Sequence, residues 1–288
     1  MCPAGPKKKA AKALAIVVGL MLLFVCIPTA EGQIADVRTV SLSPTVSRNH
    51  VHPADYDRIM TALASILREK FELPVSQPKL FLYSSREAFE SNLVKLVRFD
   101  PVYAREVAGW AAAVGAPEMV LANEEALERV SWPERIRVLA HELVHTVQYG
   151  LTGGRRGTSD QWLREGFADW IAYRVLESLD MGSLSSRRAL LLARIKGTAR
   201  RSSCAPLSDL VTLEDFTKSR GRLGGSSVYG ESLLATELLA ERHGVQSILH
   251  YFSLFKQSED RLRNFRTAFN EDLPVFEKEF LTYLETSR

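Results

Sequence analysis

The chain has 288 residues, of which 46% are hydrophobic, with 37 basic against 34 acidic side chains. Taking away residues 1–32 removes four lysines and one glutamate and leaves 33 of each sign, so the small positive charge belongs to the leader and argues against a nucleic-acid-binding protein. Of three cysteines, Cys2 and Cys26 lie in that leader, and Cys204 alone cannot form an internal disulfide framework; it reads as a small apolar side chain.

Lys7, Lys8, Lys9 and Lys12 precede an apolar run from Ala13 to Ile27, and Ala30-Glu31-Gly32 offers small residues before a cut ahead of Gln33. This is the layout of a signal peptide over residues 1–32, and the run is shorter than the roughly 20 residues that a spanning helix needs. The expectation is an exported protein, secreted or periplasmic. Its alternative is membrane attachment through residues 13–27 if the segment is left uncleaved. The remaining 256 residues, 33–288, suffice for a single domain of two lobes.

A polar, extended stretch is expected from Ala35 to His52, with His50 and His52 on a solvated loop. Tyr56, Ile59, Met60, Leu63, Ile66, Leu67 and Phe71 then recur at helical spacing. Lys79–Tyr83 and Met119–Ala122 read as strands, and Ser84 with Glu87 is the signal of a capping box. Residues 104–115 are too rich in small side chains to assign. Ser131 and Glu134 carry a second capping box, and with Pro133 in the first turn they predict a helix from Ser131 to about Tyr149. Glycines at 150, 153, 154 and 157 break the chain before Asp160, placed to cap a helix from Gln161 to Leu179. Further helices are expected at 184–195, 227–242, 246–255 and 274–284, joined by polar loops at 198–208 and 218–226. The fold class is α+β: a small mixed sheet with helices in an N-terminal lobe (about 33–150), a helical C-terminal lobe (about 151–288), and a metal site in the cleft between them.

That site is read from His141-Glu142-Leu143-Val144-His145. Two histidines four apart lie one above the other on a helix face, so both imidazoles can bind one ion while Glu142 reaches the metal-bound water as general base. A catalytic zinc needs three protein ligands and an open position, and Glu165 completes the set with His141 and His145. Asp169, one turn beyond Glu165, is placed to orient His141 by accepting its second ring N–H. One zinc ion per chain and a peptide or protein substrate follow.

These residues resemble the gluzincin metallopeptidases, the thermolysin-like and broader peptidase-MA-like group. Nineteen residues separate His145 from Glu165, the Glu165–Asp169 step matches, and Trp162, Leu163, Glu165, Gly166 and Ala168 follow the group's second-helix pattern. Val228-Tyr229-Gly230-Glu231-Ser232 looks like the start of its C-terminal helical part. The resemblance spans about 79–287 and is sharp over 139–170. It implies hydrolysis of peptide bonds, with a C-terminal tyrosine or histidine as oxyanion donor, for which Tyr229 is the candidate. His243 and His250 are given structural or surface roles, and Arg155, Arg156, Arg200 and Arg201 are expected on solvated loops. Aminopeptidase specificity is an alternative, but Gly115-Ala116-Pro117-Glu118-Met119 departs from the Gly-x-Met-Glu-Asn segment that reads a substrate's amino terminus. Two further alternatives are a zinc-stabilised binding or scaffold protein that no longer turns over, and an exported protein whose motif arose by chance.

Overall fold

Tyr56, Ile59, Met60, Leu63 and Leu67 form one buried stripe, and the helix that carries them, α1 (Pro53–Phe71), is the first element described. The computed structural model describes residues 53–77, 79–197 and 204–287, all within one unit, Val40–Arg288. The signal peptide, the stretch 35–52 with His50 and His52, and Arg200-Arg201 lie outside the described residues.

Strand β1 (Lys79–Tyr83) leads into α2 (Arg86–Asn92). The cap is Ser85, not Ser84: the Ala88 N–H donates to Ser85 Oγ at 3.2 Å. A π-helical turn, Leu93–Val97, follows, and α3 (Pro101–Trp110) starts with Asp100 accepting from the Val102 and Tyr103 N–H groups. Strand β2 (Ala113–Ala116) and β3 (Met119–Asn123) form a hairpin whose turn holds Glu118 at φ 58°. The segment 104–115, unassigned from the sequence, thus holds most of a helix and most of a strand. Its small residues bury well but mark out no wide apolar face.

The three-stranded sheet has the order β1-β3-β2, with β1 parallel and β2 antiparallel to β3. Along β3 the side chains alternate: Val120 and Ala122 enter the main core, while Leu121 enters a smaller one with Phe89, Leu93 and Val107. The protein is therefore α+β, with a small mixed sheet.

After α4 (Glu124–Glu128), α5 (Trp132–Leu151) and α6 (Gln161–Ser178) form the centre of the unit. Neither helix is capped as the sequence suggests. Ser131 makes no side-chain cap bond, and Glu134 is held by Arg137 instead of reaching back. Asp160 stands at the N-cap position of α6, but its carboxylate accepts from Tyr251 Oη at 2.6 Å and Arg261 Nη1 at 2.7 Å. Residues 161–172 are all buried, so α6 is a core helix without a solvent face there.

The chain continues through α7 (Leu184–Gly197), α8 (Leu213–Leu223), α9 (Gly225–Leu254), α10 (Arg261–Phe269) and α11 (Leu273–Thr286). Helix α9 comprises two helices meeting at Gly244, whose φ of 77° no helix interior accepts, matching the expected break between 242 and 246. Helices α8 and α10 are unanticipated; α8 replaces much of the loop expected at 218–226. A Cβ on Gly166 would meet Ser232 O at 2.1 Å, so glycine is what lets α6 and α9 approach. Cys204 packs, partly buried, against the main core. No helix among the described residues is long and apolar enough to cross a membrane.

Candidate metal centre

Helix α5 presents His141 and His145 one turn apart, both buried, their ring centroids 4.6 Å apart and the rings nearly perpendicular. Packing of α6 against α5 brings Glu165 to them. Its Oε2 lies 3.3 Å from His141 Nε2 and 3.5 Å from His145 Nε2, and the ligating atoms all fall within 4.8 Å of one another. With bonds of ~2.0–2.1 Å, neighbouring ligands in a tetrahedral set stand ~3.3 Å apart, so this buried group could hold one metal ion.

The donor set supports the same conclusion. His141 Nδ1 lies 2.9 Å from Asp169 Oδ1, and His145 Nδ1 lies 2.8 Å from Gln148 Oε1. The Gln148 amide nitrogen donates to Arg164 O at 2.9 Å, which turns its oxygen toward His145. Each ring therefore donates from Nδ1 and, when neutral, directs a lone pair from Nε2 toward the carboxylate. Three acceptors converging on one point are a donor set that could hold a cation.

The electrostatics divide the two rings. Burial disfavours the charged form of His141, but Asp169, with Glu165 and Glu142, outweighs it and pushes His141 up to about 10. His145 goes the other way, lowered by burial and then by Arg156. Burial also opposes the charge on Glu165, yet the two histidines hold it well below the usual carboxylate range. Asp169 is likewise held low against burial, chiefly by Arg137 and then His141.

Arg137 belongs to the site although no motif names it. Its Nη1 donates to Asp169 Oδ1 at 2.6 Å, and its Nε lies 2.9 Å from Glu134 Oε2. Gln161 is another such residue, donating from Nε2 to Glu165 Oε1 at 2.7 Å. Helical spacing carries a usable signal: Arg137 stands four before His141, Gln148 three after His145 and Gln161 four before Glu165. The bonds of Arg137 to Asp169 and of Gln148 to Arg164 O depend on the contact between α5 and α6, whereas that of Gln161 to Glu165 lies within α6.

Glu142 is half-buried and outside the ligand group, and its Oε2 accepts from the Gly115 N–H of β2 at 2.6 Å. A Cβ at Gly115 would meet Glu142 O at 2.4 Å, so glycine permits this approach of strand to helix. Both residues line a cavity of about 700 Å³, together with the three ligating residues and parts of α3, α7, α8 and α9.

Tyr229, at the start of α9, lines the cavity and packs edge-on against Phe216. Burial, then Glu165, raises its hydroxyl well above the ordinary value, so it keeps its proton. Tyr103 on α3 also faces the cavity, raised by burial and then Glu165; no sequence signal points to it, because the small residues around it leave its helix unmarked. Arg156 needs correction too. It does not sit on a solvated loop but is half-buried over the Tyr149 ring at 4.7 Å and lines the cavity, whereas Arg155 is exposed.

Glu118 is exposed on the hairpin turn and does not line the cavity, so it offers no reader for a substrate's amino group. His243 Nε2 lies 3.2 Å from Glu271 Oε2, and His250 is exposed; neither lines the cavity. No family model and no solved structure matches the chain.

Proposed function

We propose that this chain is a zinc-dependent peptidase of the gluzincin type, exported from the cell, which cleaves peptide bonds in a cleft between an α/β lobe (about 33–150) and a helical lobe (about 151–288). The observation that carries this reading is Glu142: a carboxylate beside the ligand group, not part of it, facing the same cavity. A purely structural metal site has no use for a base there.

His141, His145 and Glu165 would hold the ion, with Asp169 and Gln148 fixing the two rings. When bound, zinc supplies Lewis-acid polarisation of a carbonyl and lowers the pKa of a coordinated water toward ~7. The Gly115 N–H anchors Glu142 Oε2, so Oε1 is the oxygen that takes the proton of the attacking water and passes it to the leaving nitrogen. Tyr229 keeps its proton and can donate to the developing oxyanion, a role that Tyr103 could share. Among the described strands β2 pairs only with β3, and Ala113, Val114 and Gly115 line the cavity, so the part of its outer edge that Glu142 does not occupy can take an extended peptide.

The test is zinc content together with cleavage of a peptide library by wild type and Glu142→Gln. One zinc per chain is expected in both, with turnover in Glu142→Gln lowered by roughly 10²–10⁴-fold. A zinc-loaded Glu142→Gln that cleaves as fast as wild type would sink the mechanism. Zinc-loaded wild type that cleaves nothing would make the chain a binding or scaffold protein of the same fold. Absence of metal after native purification would reduce the motif to chance.

A further inference from the structure

We propose that the substrate is read through a carboxylate, held by Arg156 and Arg220 of the cavity; this rests on the peptidase reading above and names its substrate class.

The cavity's charges are divided unevenly. Its carboxylates are occupied: Glu134 and Asp169 hold Arg137, Glu165 faces the two histidines, and Glu142 accepts from Gly115. Arg156, Arg187 and Arg220 line the same cavity without such partners, Arg187 lying over the Tyr173 ring at 5.2 Å. Among the described residues no carboxylate lies within 4.0 Å of any of the three guanidinium groups. Arg156 rests on the Tyr149 ring, and its Nη1 is buried with no hydrogen-bond acceptor. Arg220 is stacked 4.2 Å from the half-exposed Trp110 ring and lies 5.8 Å from that of Tyr229.

Stacking on an aromatic face fixes the plane of a guanidinium and leaves its edge N–H groups free for a planar, two-oxygen acceptor. The rings they rest on, Tyr149 for Arg156 and Trp110 for Arg220, line the same cavity. A ligand carboxylate would give Arg156 Nη1 its missing acceptor. The carboxylate can come from an Asp or Glu side chain or from the substrate's own C-terminus, and the two have the same chemistry.

The probes are alanine-based hexapeptides carrying Glu, Gln or Lys at each position in turn, each with a free or an amidated C-terminus. With zinc-loaded wild type, kcat/KM for the preferred acid should exceed that for its neutral counterpart by tenfold or more, about the size of one charge-assisted hydrogen bond. Preference for an internal Glu assigns the side chain, and loss on amidation assigns the C-terminus; either supports the proposal. Arg220→Met should collapse the acid-over-neutral ratio, Arg220→Lys should keep part of it, and Arg220→Glu should turn the preference toward Lys. The same series bound to zinc-loaded Glu142→Gln gives Kd values free of turnover. Cleavage with no preference for acid over neutral peptides overturns this inference and leaves the peptidase reading intact. No cleavage of any peptide, but acid-selective binding that Arg220→Met abolishes, overturns the peptidase reading and leaves this one standing.

Discussion

His141 and His145 stand four residues apart on one helix and face the same carboxylate, yet they sit in opposite fields. On the His141 side the second nitrogen meets Asp169, a carboxylate backed by Arg137 and Glu134. On the His145 side it meets Gln148, a neutral amide anchored on a backbone carbonyl, with Arg156 as the nearby charge. One ring is therefore pushed up to about 10 and the other lowered. Two ligands alike in sequence thus differ in basicity because of what touches their far nitrogens. Arg156, the charge that lowers His145, is also among the cavity arginines left for an anionic ligand.

The largest effect that tests this contrast is in the metal-free protein. His141 has its folded value raised from ~6.5 in the unfolded chain, so its contribution to stability is fully present below pH ~6.5 and is lost as pH rises through about 10. His145, lowered, contributes with the opposite sign: its share is present above ~6.5 and is lost as pH falls below that value. Thermal melts of chelator-treated wild type from pH 6.5 to 10 should show stability falling by up to a few kcal/mol, and Asp169→Asn should flatten most of that slope. Equal slopes in the two proteins would mean that Asp169 does not set the His141 proton.

Next in size is metal affinity. Losing the carboxylate in Asp169→Asn should weaken zinc binding by roughly 10–100-fold, read by competition with a chelator of known affinity. The smallest effect belongs to the neutral partner: Gln148→Ala should cost about tenfold or less in the same assay. If the Gln148 variant loses as much zinc affinity as the Asp169 variant, the charged and neutral supports are equivalent and the contrast fails.

Much of the site is legible in the amino-acid sequence. His141, Glu142 and His145 form a contiguous motif, and Glu165 with Asp169 repeats the one-turn spacing on the next helix, so helical periodicity places each set on one face. Strands β1 and β3 are legible because their apolar runs are short and bounded. Helix α3 and strand β2 are not, since Ala104, Ala108 and Ala113 owe their burial to neighbours and carry no pattern of their own. The capping signals at Ser131 and Asp160 mislead for a related reason: Arg137 draws Glu134 away, and Tyr251 and Arg261, remote in sequence, take the Asp160 carboxylate. Arg156 reads as solvated because a glycine-rich flank says nothing about which ring the loop folds back onto.

What the sequence determined by itself was local: residue types and spacings that set helix faces, and hence a pair of histidines, a base between them and a carboxylate one helix on. How those faces meet is a matter of packing: Gly115 lets β2 reach Glu142, Gly166 lets α6 approach α9, and α6 brings Asp169 to His141 and anchors the Gln148 amide beside His145. Spacing acts within a turn or two of one helix, whereas the charge around a buried ring comes from every element packed against it.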